Sequence, residues 1–226
     1  MALRTDNLVS GEYFHIYNRG NSKSEIFLDK EDYDRFVKLL YVCNSELRFV
    51  FRNSIVDTKI DAFDFEREKP LVSILSWVLM PNHFHIFLIS DRSDLLDVDY
   101  NPITEFMRKL STAYAMYFNK KYKRTGSLFE GKFKSKHVGE ENYFNYLFAY
   151  IHLNPIKLIQ KDWKEKGVQD EKRTKEFLLN YKYSSFQDYY GDLRKEAKII
   201  NKLILPKHIK ESHPDDLFKW LTLDKI

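Results

Sequence analysis

The alternation of apolar and polar positions marks one stretch above all others, Trp77-Val-Leu-Met-Pro-Asn-His-Phe-His-Ile-Phe-Leu-Ile89. Two apolar runs flank Met80-Pro81-Asn82. Pro81 has a fixed φ and no amide hydrogen, so it suits a tight turn and not a central strand. The pattern predicts a hairpin from about Leu71 to Ser90. Upstream, the aromatic run Glu12 to Tyr17 predicts a first strand, ended by the turn residues Asn18-Arg-Gly-Asn21. Asp29 caps a helix reaching about Asn44, with Tyr33, Phe36, Val37, Leu40 and Tyr41 on its inner face. Arg48 to Lys69 has a β-like start and an acidic middle, and reads as an insertion or extra hairpin. After an acidic, loop-like stretch from Asp91 to Asn101, Pro102 opens a second helix running to about Tyr122. Ile103, Phe106, Met107, Leu110, Ala113, Tyr114 and Tyr117 form its apolar face, and Thr125-Gly126 stops it. A further strand lies within Ser127 to Val138. A third helix runs from Glu140 to Leu153 and is broken or kinked at Asn154-Pro155. Tyr183 to Tyr190 and a helical, Lys-rich tail complete the chain. This order of elements predicts an α+β protein, a sheet with helices on one face.

Composition narrows the class. A chain of 226 residues suits one domain, here residues 1–190 with an insertion at about 48–69, followed by a helical tail over 191–226. With 43% hydrophobic residues it can build a core, which excludes wholesale disorder. The lone Cys43 excludes an intramolecular disulfide and a cysteine zinc cluster. No apolar run reaches the ~18 residues of a membrane helix, and the first residues lack the apolar core of a signal peptide. No membrane partner is expected, and the location expected is the cytoplasm.

Candidate chemistry sits at three places. On a strand, His83 and His85 point to one side and Phe84 to the other. The spacing suits either a shared metal ion or two polar residues on a half-exposed strand. Between Asn119 and Lys136, Lys120, Lys121, Lys123, Arg124, Lys132, Lys134 and Lys136 stand against one acid, Glu130. Tyr122, Phe129 and Phe133 are interleaved among them. Cations neutralise phosphates and flat rings stack on unpaired bases, although lysines on an edge strand also discourage aggregation. The net charge of +4 is small, so this local excess, and not the total, points towards nucleic acid. On the third helix Tyr146, Tyr150 and Asn154 recur at a spacing of four and share a face. That stripe suits either aromatic packing or a phenol nucleophile beside an amide oxygen that completes a metal site.

Met80-Pro-Asn-His-Phe-His85 followed by Tyr150-Ile-His-Leu-Asn-Pro155 resembles the single-tyrosine HUH transposases of the insertion-sequence type, and most nearly the REP-associated tyrosine transposases. Gly11 to Gly20, Arg124 to Lys134 and Tyr183-Ser-Ser-Phe186 agree, in the right order over roughly residues 10–190. The resemblance implies a ferredoxin-like core with a central antiparallel sheet. It implies a divalent-metal enzyme, using magnesium or manganese, that cuts and rejoins single-stranded DNA near hairpin, REP-like elements. Carried over by position, His83 and His85 are metal ligands, Asn154 assists the metal, and Tyr150 is the nucleophile forming a 5′-phosphotyrosine. Asn18, Arg19 and Lys23, together with the ribbon from Lys120 to Lys136, are the expected DNA contacts. His15 and His152 are expected to be structural. A monomer is favoured and a dimer remains open. The alternative is an idle DNA- or RNA-hairpin binder on the same fold. Arg48 to Lys69 is longer than the link usual in the family, and the tail after about Gly191 matches nothing in it.

Overall fold

The computed structural model describes residues 7–48, 50–90, 92 and 100–221. Strand β1 (Tyr13–Arg19) leads to helix α1 (Lys30–Val42), then to β2 (Ser73–Met80) and β3 (His83–Ile89), helix α2 (Pro102–Lys121) and β4 (Lys134–Val138). The four strands form one antiparallel sheet in the order β2-β3-β1-β4. This is the βαββαβ arrangement of a ferredoxin-like α+β fold. Helix α3 (Glu141–Leu153) follows, and then five short helices: α4 (Trp163–Lys166), α5 (Glu171–Asn180), α6 (Phe186–Tyr190), α7 (Lys207–Lys210) and α8 (Pro214–Trp220). Among the described residues no helix is long and apolar enough to cross a membrane.

The hairpin forms as the pattern predicts, with Pro81 and Asn82 as its two-residue turn. Both faces of its strands are apolar, and this corrects the expectation of helices on one face only. Phe14, Ile16, Trp77, Leu79, Phe84, Ile86 and Leu88 pack with α1 and α2. Leu75, Val78, Met80 and Phe87 pack with α3 and the later helices on the other side. Two apolar faces need two covers.

Local signals set the helix ends. Asp29 and Asp32 form a reciprocal capping box at the start of α1. Asn101 caps α2, with Pro102 in its first turn. At Asn154-Pro155 helix α3 tightens into a 3-10 turn over Asn154–Leu158 and does not stop, because a proline in the first turn forfeits no intrahelical bond. Only Lys134–Val138 of the predicted Ser127–Val138 strand is regular, with an isolated bridge joining Phe129 to Gly20.

The extra hairpin expected over 48–69 is not formed. Its described residues make a π-helical turn at Arg52–Val56 and a 3-10 turn at Ala62–Asp64. Ile55, Ala62 and Phe63 bury there, so the segment plugs a core edge. Most of the predicted acidic loop from Asp91 to Asn101 lies outside the described residues.

The outer edge of β2 is covered. Leu79 N–H donates to Tyr183 O (2.9 Å), Ser185 N–H to Trp77 O (2.9 Å) and Asn201 N–H to Ile74 O (2.8 Å). The tail therefore touches the sheet, and α8 packs on α3 with Leu217 fully buried.

Candidate active site

Strand register builds the floor of the site. Antiparallel pairing puts Tyr17 opposite His85 and Arg19 opposite His83, while β2 sets Val78 and Met80 on their other flank. His83 and His85 share the face covered by α3, with ring centroids 5.1 Å apart. His15, a diagonal neighbour, bonds His85 through its Nε2 to His85 Nδ1 (2.8 Å).

Helix α3 brings Tyr150 down on this floor, its ring 5.5 Å from that of His85 and edge to face. Tyr146 stacks on Tyr150 at 6.0 Å, on the face their four-residue spacing predicts, and Tyr143 stacks on Tyr146 at 6.2 Å. Asn154, one turn on, is 5% exposed, and its Oδ1 has no hydrogen-bond partner among the described residues. Leaving such an oxygen unmet costs roughly 1–3 kcal/mol. His152 points the other way, fully buried and bonded to Ser185 Oγ at 2.8 Å. Its structural role is as expected from its offset along the helix.

Whether this set suits a metal can be read from its hydrogen bonds. Asn82 Nδ2 donates to Lys23 O (3.1 Å), which turns Asn82 Oδ1 towards His83 Nδ1 at 2.6 Å. That nitrogen must carry the proton, so Nε2 keeps its lone pair. His15 occupies His85 Nδ1 and likewise leaves Nε2 for a ligand. A hydrogen bond behind each imidazole is the usual support of metal-binding histidines. Burial, then the charges of Lys157 and Arg19, lowers the His83 pKa to about 4. Burial, then His15, His83 and Lys164, puts His85 well below its usual value. Both rings are neutral at neutral pH. Two imidazoles and the orphaned amide oxygen thus fit a divalent ion as an N,N,O set. Among the described residues no three His, Cys, Asp or Glu side chains converge on one point, so the set has no carboxylate.

Burial raises the Tyr150 pKa, and the Asn154 amide beside it works in the opposite direction. Lys164 Nζ lies 4.1 Å from the centre of the Tyr150 ring, and Lys136 Nζ 4.0 Å from that of Tyr143. Sequence reasoning missed Lys164, which lies on no shared helical stripe with Tyr150. It also missed the placement of His15 behind His85. The alternation His15, Tyr17 on β1 was the available signal, but it acquires meaning only with the strand register.

The two segments nominated for nucleic acid are tied to each other. Asn21 N–H donates to Leu128 O and Glu130 N–H to Arg19 O, at 2.9 and 3.0 Å. Asn18 is buried and donates to Gly131 O (3.0 Å), so it holds this loop rather than facing outward. Arg19 pairs with Glu130. Lys121 binds Asp29, Glu31 and Asp32, and Tyr122 donates to Asp32 (2.7 Å). The acidic start of α1 thereby ties up Lys121 and Tyr122, both of which are half-buried. Lys23, Lys120, Lys123, Arg124, Lys132, Lys134 and Lys136 are exposed, and Phe133 is half-buried.

The family model described as "Transposase IS200 like" matches residues 37–154, just over half of the chain, including His83, His85, Tyr150 and Asn154. The chain belongs to the IS200-like transposase family. A solved structure described as a REP-associated tyrosine transposase bound to a REP hairpin is loosely similar, with 12% identity and a TM-score of 0.48 over 84% of this chain and 85% of that one. No curated protein matches the chain.

Proposed function

We propose that this protein is a metal-dependent single-strand DNA endonuclease and strand transferase, cutting near DNA hairpins with Tyr150 as its nucleophile. The observation that carries this reading is the seating of Tyr150 against His85, one helical turn from the unmet Asn154 oxygen. A magnesium or manganese ion held by His83, His85 and Asn154 would polarise the scissile phosphate. The Tyr150 oxygen forms a bond to phosphorus and the bond from phosphorus to the 3′ oxygen breaks. The phenolic proton leaves to solvent and the departing 3′ oxygen takes one up. The product is a 5′-phosphotyrosine with a free 3′-hydroxyl. Because the ester keeps the bond energy, a second 3′-hydroxyl can reverse the step without another cofactor. His15 and Asn82 orient the imidazoles, while Tyr146 and Lys164 fix the Tyr150 ring.

The DNA surface in this reading is the exposed set Lys23, Lys120, Lys123, Arg124, Lys132, Lys134 and Lys136, with Phe133 for stacking. Preference for hairpins rests on the family resemblance of the motifs, and a monomer is the form proposed. The test is a denaturing gel with labelled single-stranded hairpin DNA from the protein's own genomic neighbourhood, with manganese or magnesium. A protein–DNA adduct is expected that requires metal and disappears in Tyr150→Phe and His83→Ala. Equal DNA retention by all three proteins without an adduct would instead identify a hairpin-binding protein with an idle site.

A further inference from the structure

Lys164 is held over Tyr150 by a braced segment. Its neighbour Trp163 is 3% exposed and packs into the α3-side core. Asp162 pairs with Lys166 at 2.7 Å, and Gln160 bonds across the loop to Gly167 O at 2.8 Å and Gln169 N at 3.2 Å. The Lys164 side chain therefore projects from an anchored turn onto the ring, at 4.1 Å. Lys157 extends from the 3-10 turn that begins at Asn154, and its charge is felt by both His83 and Lys164.

Among the described residues neither of these lysines has an ion pair. Lys121, Lys175, Lys195 and Lys198 each hold a carboxylate. Burial and then the Lys157 charge act against the Lys164 ammonium, Glu165 offsets them only in part, and the neutral imidazoles bring no negative charge. An anion placed between the lysines removes that repulsion. Such an anion would lie beside Tyr150, whose ring face Lys164 covers and which His85 meets edge to face.

We propose that Lys164, together with Lys157, forms a clamp for the single phosphate presented to the Tyr150 hydroxyl. This rests on the strand-cleavage reading above and adds two phosphate-binding residues to it. Lys164 has two tasks in it: its ammonium holds a phosphate oxygen, and its contact with the ring face keeps the phenol aimed at phosphorus. Lys157 approaches the same phosphate from the His83 side.

A methylphosphonate scan tests the clamp, since replacing one phosphate oxygen by methyl removes one charge at a chosen position. Binding is measured in the Tyr150→Phe background, where no bond can form, with hairpin DNA carrying one neutral linkage at a time. Lys164→Gln should weaken binding of native DNA about tenfold and reduce the salt slope by roughly 0.7, the value for one single-strand phosphate contact. That loss should vanish at one position in the scan, the linkage at which the protein with Tyr150 intact becomes joined to DNA. Lys164→Arg should keep most of the affinity, and Lys157→Gln should lose its effect at the same linkage. A loss of equal size at every position, or no loss at all, would overturn the clamp. An adduct without position-specific coupling removes the clamp and leaves the cleavage reading standing. Coupling at one linkage without any adduct supports a phosphate clamp on a protein that does not cut.

Discussion

His152 gives a clear case of what one buried side chain does to stability. Burial lowers its pKa from 6.5 to about 3. The unfolded chain takes up a proton below about pH 6.5 and the folded chain does not, so the stability due to this residue is complete above pH 6.5. It is lost as pH falls towards 3, by up to about 1.4 kcal/mol per unit. Ser185 Oγ also accepts from Trp77 N–H (2.9 Å) and donates to Trp77 O (3.2 Å), so His152→Leu leaves no orphan there. Urea unfolding between pH 7 and 4.5 should show a flatter acid slope in His152→Leu than in the parent; equal slopes would contradict the burial argument. His15 acts differently, through His85. His15→Ala should leave the fold intact and weaken manganese binding about 10- to 100-fold, the usual effect of removing an imidazole's supporting hydrogen bond. Calorimetric titration with manganese in the presence of a non-cleavable DNA would measure it, and unchanged affinity would show that His85 needs no such support.

At the scale of elements, the start of α1 is the most heavily loaded point outside the active site. Asp32 is fully buried and accepts from Leu28 N–H, Lys121 and the hydroxyls of Tyr117 and Tyr122. It joins the capping box of α1 to the end of α2. Asp32→Ala would leave two phenols and a half-buried lysine without this acceptor and would remove half of the capping box. A loss of about 3 kcal/mol is expected from denaturant unfolding, and a loss below about 1 kcal/mol would show that the cluster is worth no more than an exposed ion pair. The same acids explain why Lys121 and Tyr122 lie against the start of α1. Their charge and aromatic character were legible in the sequence, but their direction was not, because Asp29 and Asp32 lie some 90 residues away along the chain. At Gly20 the constraint is backbone contact. A Cβ there would meet Ser24 O at 2.1 Å and Ile26 Cγ2 at 2.9 Å, so the turn after β1 requires glycine whatever its φ.

Over the whole molecule, the sheet is a partition between two cores; the tail gives Ile199 to the first and Leu205, Ile209 and Leu217 to the second. Leu217 of α8 is fully buried against the α3 side. Leu217→Ala should cost about 2–4 kcal/mol, and the midpoint of urea unfolding would report it. It should also loosen the helix that carries Tyr150, so the adduct should form more slowly even where the protein is fully folded. A variant as stable as the parent would mean that α8 merely rests on α3. The sequence by itself determined the hairpin, helices α1 to α3 and the two motif faces, because each depends on near neighbours: period two puts His83 and His85 together, period 3.6 aligns Tyr146, Tyr150 and Asn154, and Pro81 fixes the turn. Tertiary structure alone decided that α3 covers the face opposite α1 and α2, that His15 stands behind His85, and that Lys164 lies over Tyr150. These depend on strand register and on the path of the loop after Pro155. Register is set by the packing of distant apolar faces against one another, a condition no local stretch of sequence contains.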